Sequence, residues 1–237
     1  MKVRIRFSKY GAMKFIGHLD IMRYFQKAMR RADIDIAFTE GFSPHMIMSF
    51  ALPLGVGVTS SGEYLDIEIV SPVPSREAVK RLNSVMVDGM EVLSFRQIEE
   101  GKGAKAMSLV AAADYTVSFR EGKEPPCGWQ ERLDAFLLQE KIPILKKTKK
   151  SEKETDIKPL ICECHTEGEQ VHMTLAAGSA ANLKPELVME AFAAYSGWDM
   201  QPFALLIHRS ELYADAGNGE QRRLVSLEEL GEEIFEP

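Results

Sequence analysis

Cysteine is scarce in this chain. Only Cys127, Cys162 and Cys164 occur in 237 residues. An odd, sparse set argues against a disulfide framework and for the reducing cytoplasm. No apolar run approaches the ~18 residues that mark a bilayer-spanning helix, so no membrane association is expected. The opening MKVRIRFSKYG alternates charged and apolar side chains, which reads as a strand and not as the continuous apolar core of a signal peptide. There is no CxxxCxxC to carry a radical-SAM cluster, and no P-loop, GxGxxG or GxSxG. Cys162-Glu163-Cys164-His165 offers ligand-type side chains. On a strand, however, His165 faces away from both cysteines, and no second CxxC or HxxxH supplies the rest of a metal site. No metal or cofactor is expected in this chain.

What is present is ordinary in bulk and uneven in distribution. Apolar residues make up 45% and charged residues 27%, as in a globular protein with a core. The net charge of −6 hides local patches. Residues 1–58 hold nine Lys or Arg against four acids, a balance of +5; residues 141–158 hold seven lysines against three acids, a balance of +4; residues 210–237 hold eight acids against two arginines, a balance of −6. A polyanionic partner meets local patches and not the net charge.

Periodicity gives an α+β fold. Val3, Ile5 and Phe7 alternate with Arg4 and Arg6 in a half-buried strand. Residues 18–32 place Leu19, Met22, Phe25, Met29 and Ala32 on one side of a helix and Arg23, Lys27, Arg30 and Arg31 on the other. Gly17 is its expected N-cap, and Asp20 sits in its first turn. Strands at 46–51, 63–69 and 90–98 and a Ser-capped helix at 75–86 complete βαββαβ, the ferredoxin-like order. Residues 1–98 form the first such domain, and the polar, Gly-rich 99–110 a linker. Strands at 114–119, 142–147, 157–165, 169–177 and 200–212, with helices at 128–140 and 184–196, make a second ferredoxin-like domain over 111–212 with one extra strand. Residues 213–237 read as an acidic tail. The expectation is two ferredoxin-like domains in tandem.

Two features carry candidate chemistry. Arg23, Lys27, Arg30 and Arg31 share one helix stripe and, with Arg4 and Arg6 on the adjacent strand, suit successive phosphates. The bland alternative is a solvated face, yet Asp20 alone is acidic on that stripe. Lys146, Lys147, Lys149 and Lys150 form a basic hairpin tip or a solvated loop. The second feature is FTEGFSPHMIMSF, residues 38–50. Gly41 permits a positive φ and Pro44 holds its predecessor extended, so the turn fixes Phe42 and His45. His18 and Asp20, two apart on a helix, point in different directions and form no dyad. His18 and His45 are the candidates for acid–base chemistry or for shaping a pocket, with Asp20, Gly41, Phe42, Pro44 and Tyr64 as its walls. Phe42 or Tyr64 is the candidate for stacking on a base.

The run FIGHLDIMRYFQKAMRRADIDIAFTEGFSPHMIMSFALPLGVGVTSSGEYLDIEI, residues 15–69, followed by RLNSVMVDGMEV at 81–92 and more loosely by 142–161, resembles the bacterial radical-SAM-associated proteins, or radical SAM-linked proteins, of the DUF2344 family. The chain departs from that pattern at Gly17, where the family favours Ser, and at Ser43-Pro44-His45-Met46, where it favours Asn-Pro-His-Pro. The resemblance implies a partner: a radical-SAM protein with a cobalamin-binding-like domain, which would carry the iron–sulfur cluster, S-adenosylmethionine and cobalamin. The family transfers no settled activity. Its context suggests an RNA-binding accessory role in tRNA or rRNA modification. Two other readings stay open. One is a metal-independent endoribonuclease that uses His18 or His45 on the ribose 2′-OH, by analogy with ferredoxin-like CRISPR repeat endoribonucleases. The other is a protein-interaction subunit of a radical-SAM complex.

Overall fold

A computed structural model describes residues 1–101, 105–147, 152–217 and 221–236. The fold is α+β, and the chain divides into two units, Met1–Ala112 with Arg209–Pro237, and Ala113–His208. Two strands run through the division: β5 (Val110–Phe119) and β10 (Leu205–Asp215).

In the first unit, β1 (Lys2–Lys9) lies between β3 (Thr59–Glu68) and β4 (Met90–Gln97), antiparallel to both. The short β2 (Met48–Phe50) pairs with the other edge of β3, Met48 opposite Ile67. Helices α1 (His18–Arg31) and α2 (Ser75–Asn83) complete the order β1-α1-β2-β3-α2-β4. Alternation does what the sequence leads one to expect on one sheet face: Val3, Ile5, Phe7, Leu65, Ile67, Val92 and Phe95 join Phe25, Met29 and Leu82 in one core. Phe25 meets Phe7 edge-on at 4.8 Å and Phe50 at 5.8 Å between ring centres. The buried face of α1 is rotated slightly from the expected one. Ile21 and Ala28 are buried with Phe25 and Met29, while Leu19 is exposed.

The other face of β1 corrects the sequence reading. It is not a solvated face, because residues 213–236 do not form a free tail. From Arg209 onward β10 belongs to this unit; β11 (Leu224–Ser226) pairs with its end, and β12 (Glu232–Glu233) pairs with β4. Leu227 is fully buried, and its carbonyl accepts from Arg4 Nη1 at 3.1 Å. Arg4, 2% exposed, forms a bidentate pair with Asp66 at 2.8 and 3.0 Å. The stretch expected as a linker also packs here. Its four-residue helix α3 (Ala106–Leu109) buries Ala106, whose N–H donates to Asp66 Oδ2 at 2.7 Å. Ser75 does not cap α2, whose N-cap is Pro74. Its hydroxyl instead accepts from Ile234 N–H at 2.8 Å and so fastens the C-terminal segment.

In the second unit, β8 (Ile161–Glu167) and β9 (Gln170–Ala176) form a hairpin with Gly168 at φ 58°. Helices α4 (Trp129–Leu137) and α5 (Pro185–Ser196) meet through Phe136 and Phe192, 5.8 Å apart. The strand expected at 157–165 begins only at Ile161, as β8, because Lys158–Leu160 form a 3-10 turn; before it an unexpected strand, β7 (Glu152–Asp156), pairs with β6 (Pro143–Lys147).

Because Arg4 and Asp66 are buried together, removing one partner strands a charge. Asp66→Asn is expected to destabilise the chain by ~3–5 kcal/mol in urea unfolding, whereas the paired replacement Arg4→Met with Asp66→Leu recovers only part of that loss, because the Leu227 carbonyl and the Ala106 N–H lose their partners.

Candidate nucleic-acid interface

Helix α1 starts at Gly17, which is extended (φ −74°, ψ 163°) and whose carbonyl accepts the Ile21 N–H at 3.0 Å. It ends in a 6→1 closure: Asp33 adopts φ 52° and Ile34 N–H reaches Met29 O at 3.0 Å, with both apolar side chains in the core. Arg30 and Arg31 therefore stand at the carbonyl end of the helix, where the dipole favours cations. Arg23, Lys27, Arg30 and Arg31 are all exposed. Asp20 lies 3.2 Å from Arg23. A pair this exposed contributes little, and the stripe stays positive.

The turn after α1 is closed by reciprocal bonds. Thr39 N–H donates to His45 O at 2.9 Å, His45 N–H donates to Thr39 Oγ1 at 3.1 Å, and His45 Nδ1 lies 3.1 Å from the same hydroxyl. Gly41 has φ 110°, a backbone angle that L side chains rarely adopt. Phe42 stands fully exposed at the tip, with Ser43, Pro44 and His45 exposed after it. His18 does not join this turn. Its ring packs edge-on against Phe50 at 5.1 Å. The small cavity beside His18 and the roughly 200 Å³ pocket beside His45 share no lining residue.

Several expected contacts fall elsewhere. Arg4 is consumed by Asp66, as described above. Arg6 is held by Glu228 at 2.6 Å and Glu211 at 3.0 Å. Burial alone would lower the Arg6 pKa, but these carboxylates raise it. Neither arginine joins the α1 stripe, because the C-terminal segment covers their face of the sheet. Tyr64 is 1% exposed and cannot stack on a ligand; its hydroxyl donates to Glu211 at 2.5 Å. Burial raises the Tyr64 pKa, reinforced by Glu211, and burial likewise raises that of Glu211. Lys146 and Lys147 lie on β6, while Lys149 and Lys150 lie outside the described residues.

Sequence reasoning missed a buried charged cluster under α1. Arg209 binds both oxygens of Glu63, at 2.8 and 2.6 Å, and Lys9, 2% exposed, donates to Ile16 O at 2.8 Å. Lys9, Glu63 and His18 line one cavity with Phe50 and Leu52. Burial lowers the Lys9 pKa, and nearby Arg209 lowers it further against the pull of Glu63. Lys9 continues the alternation of Val3, Ile5 and Phe7, and that period of two was the signal that places it on the helix-facing side of β1.

Among the described residues, no group of three His, Cys, Asp or Glu is placed to hold a metal, and no helix is long and apolar enough to cross a membrane. Cys162 is exposed, and burial pushes the Cys164 thiol up to about 12. Residues 2–185 match the model of a family described as an uncharacterized protein conserved in bacteria, DUF2344. No curated protein matches the chain. Among solved structures, a chain in the crystal structure of a Cbf5-Nop10-Gar1 complex aligns with 89% of this chain at 11% identity and a TM-score of 0.46. The aligned part is 48% of that chain, about half its length.

Lys9 makes the electrostatics under α1 measurable. Its folded-state pKa lies below the ordinary value of ~10.4. Between the two, the unfolded chain binds more protons, so Lys9 adds stability as pH rises through that window. Lys9→Met is expected to remove that part of the pH dependence, so that the melting temperature of the wild type gains on that of the variant as pH rises towards ~10. Melting curves of both chains across this range check the sign.

Proposed function

The chain belongs to the DUF2344 family, and we propose that it is an RNA-binding accessory protein, without a catalytic site of its own, that presents RNA to a separate radical-SAM enzyme. The partner, with its cobalamin-binding-like domain, and the setting in tRNA or rRNA modification rest on the resemblance to radical-SAM-linked proteins, and the cytoplasmic location on the sparse cysteines. Cluster, S-adenosylmethionine and cobalamin would reside in that partner. The observation that carries RNA binding is the pairing of an exposed cationic stripe with an exposed aromatic on a fixed turn: Arg23, Lys27, Arg30 and Arg31 on α1, and Phe42 held by Thr39, Gly41 and His45.

Phosphates supply most of the attraction in such sites, and stacking adds a sequence-tolerant grip. Arg4 and Arg6 drop out of the binding set because their charges are already matched. The strand order β4-β1-β3-β2 of the first unit supports the ferredoxin-like reading of that half. The separation of His18 and His45 into different cavities leaves a cleavage reaction to one histidine acting without the other.

Affinity for single-stranded RNA is expected to fall with salt at a log–log slope of about −3 for four phosphate contacts. Charge reversal of Arg23, Lys27 and Arg30 to Glu is expected to bring that slope close to zero, while Phe42→Ala costs ~1–3 kcal/mol and leaves the slope unchanged. Fluorescence anisotropy at several salt concentrations reads both. Wild-type binding that ignores salt, or that survives the reversal, would refute the assignment.

A further inference from the structure

At the carbonyl end of α1 a groove of about 610 Å³ opens in the first unit, within the range of small-ligand sites. Arg30, the third cation of the stripe, is on its wall, and Arg81 faces it from α2. Its apolar surface comes from Ile34, Ile36, Met46 and Val73, with Phe38 at 48% exposure. An aromatic left half-open in a cavity offers a flat surface to a planar ligand. Asp35 supplies a fixed acceptor. Its Oδ2 accepts from Ser71 Oγ at 2.7 Å, and its backbone carbonyl accepts from Val70 N–H at 2.8 Å. A carboxylate oriented in this way has lone pairs left over for a ligand donor.

We infer that this groove holds a guanine base, read by Asp35 and stacked on Phe38, with Arg30 taking the adjoining phosphate. The inference deepens the RNA-binding reading and rests on it. A strand lying along Arg23, Lys27 and Arg30 is led to the groove by the last of these. Guanine presents two adjacent donors on its Watson–Crick edge, N1–H and N2–H2, which match the two oxygens of a carboxylate. Adenine presents an acceptor at N1 and leaves the Asp35 carboxylate poorly matched. Unstacked bases in single-stranded RNA are recognised by these edges, and one good bidentate pair discriminates by ~1–3 kcal/mol.

The test uses the full chain with free GMP and AMP, read by equilibrium dialysis, so that it does not depend on RNA binding along α1. GMP is expected to bind about tenfold more tightly than AMP, within the ~5- to 150-fold that such a pair supports. Asp35→Asn keeps an acceptor for Ser71 and should bring the two nucleotides to near parity. Phe38→Ala should weaken both while preserving the ratio. Equal affinities in the wild type, no binding of either nucleotide, or a preference that survives Asp35→Asn would overturn the inference. Loss of nucleotide preference with intact salt-dependent RNA binding would refute the groove alone. Loss of RNA binding with intact GMP preference would refute the α1 stripe alone.

Discussion

The first unit depends on one buried ion pair. Arg4 and Asp66 face each other across β1 and β3. The same two side chains also take the Leu227 carbonyl and the Ala106 N–H. One pair therefore joins two central strands, the segment after β4 and the returning C-terminal segment. Burying two charges costs desolvation, which only complete hydrogen bonding offsets. Here the guanidinium and the carboxylate each take a further backbone partner. The neighbouring Arg6, Glu211, Tyr64 and Glu228 follow the same pattern, as does Arg209 with Glu63.

That constraint sorts the cations of the chain. Arg4 and Arg6 on β1 are matched internally and hold the fold together. Those on α1 face outward with a single exposed carboxylate beside them. A positive balance over residues 1–58 thus becomes a surface property of one helix and not of the whole segment. The closure at Asp33 then sets Arg30 at the mouth of the groove, and the Thr39–His45 clasp sets Phe42 into solvent. Backbone geometry is what turns a charge run into a surface with a direction along it.

The helices and the four main strands of the first unit were legible in the sequence, because periods of 3.6 and 2 leave clear patterns in His18–Arg31 and in EYLDIEI. So was the turn, through Gly41 and Pro44. The fate of the charged residues on those strands was not. Alternation places Arg4 and Asp66 off the apolar face, but it does not reveal that a segment more than 200 residues away in sequence, at Leu227, covers them. Local composition made residues 213–237 look like a tail, since acids are normally solvated. One of them, Glu228, is held instead by Arg6 and Arg96, distant in the chain. Tyr64 lies under the same cover, whereas Lys9 continues the Val3, Ile5, Phe7 alternation and only its charge made it look solvated.

Binding by the face of α1 is the central claim, and ultraviolet crosslinking of RNA to the purified full chain, with the attached peptides mapped, tests it most directly. The account predicts crosslinks at the Phe42 turn and along residues 18–38, with Tyr64 and the Arg4 strand unmodified. Crosslinks confined to residues 113–208, or none at all, would contradict it.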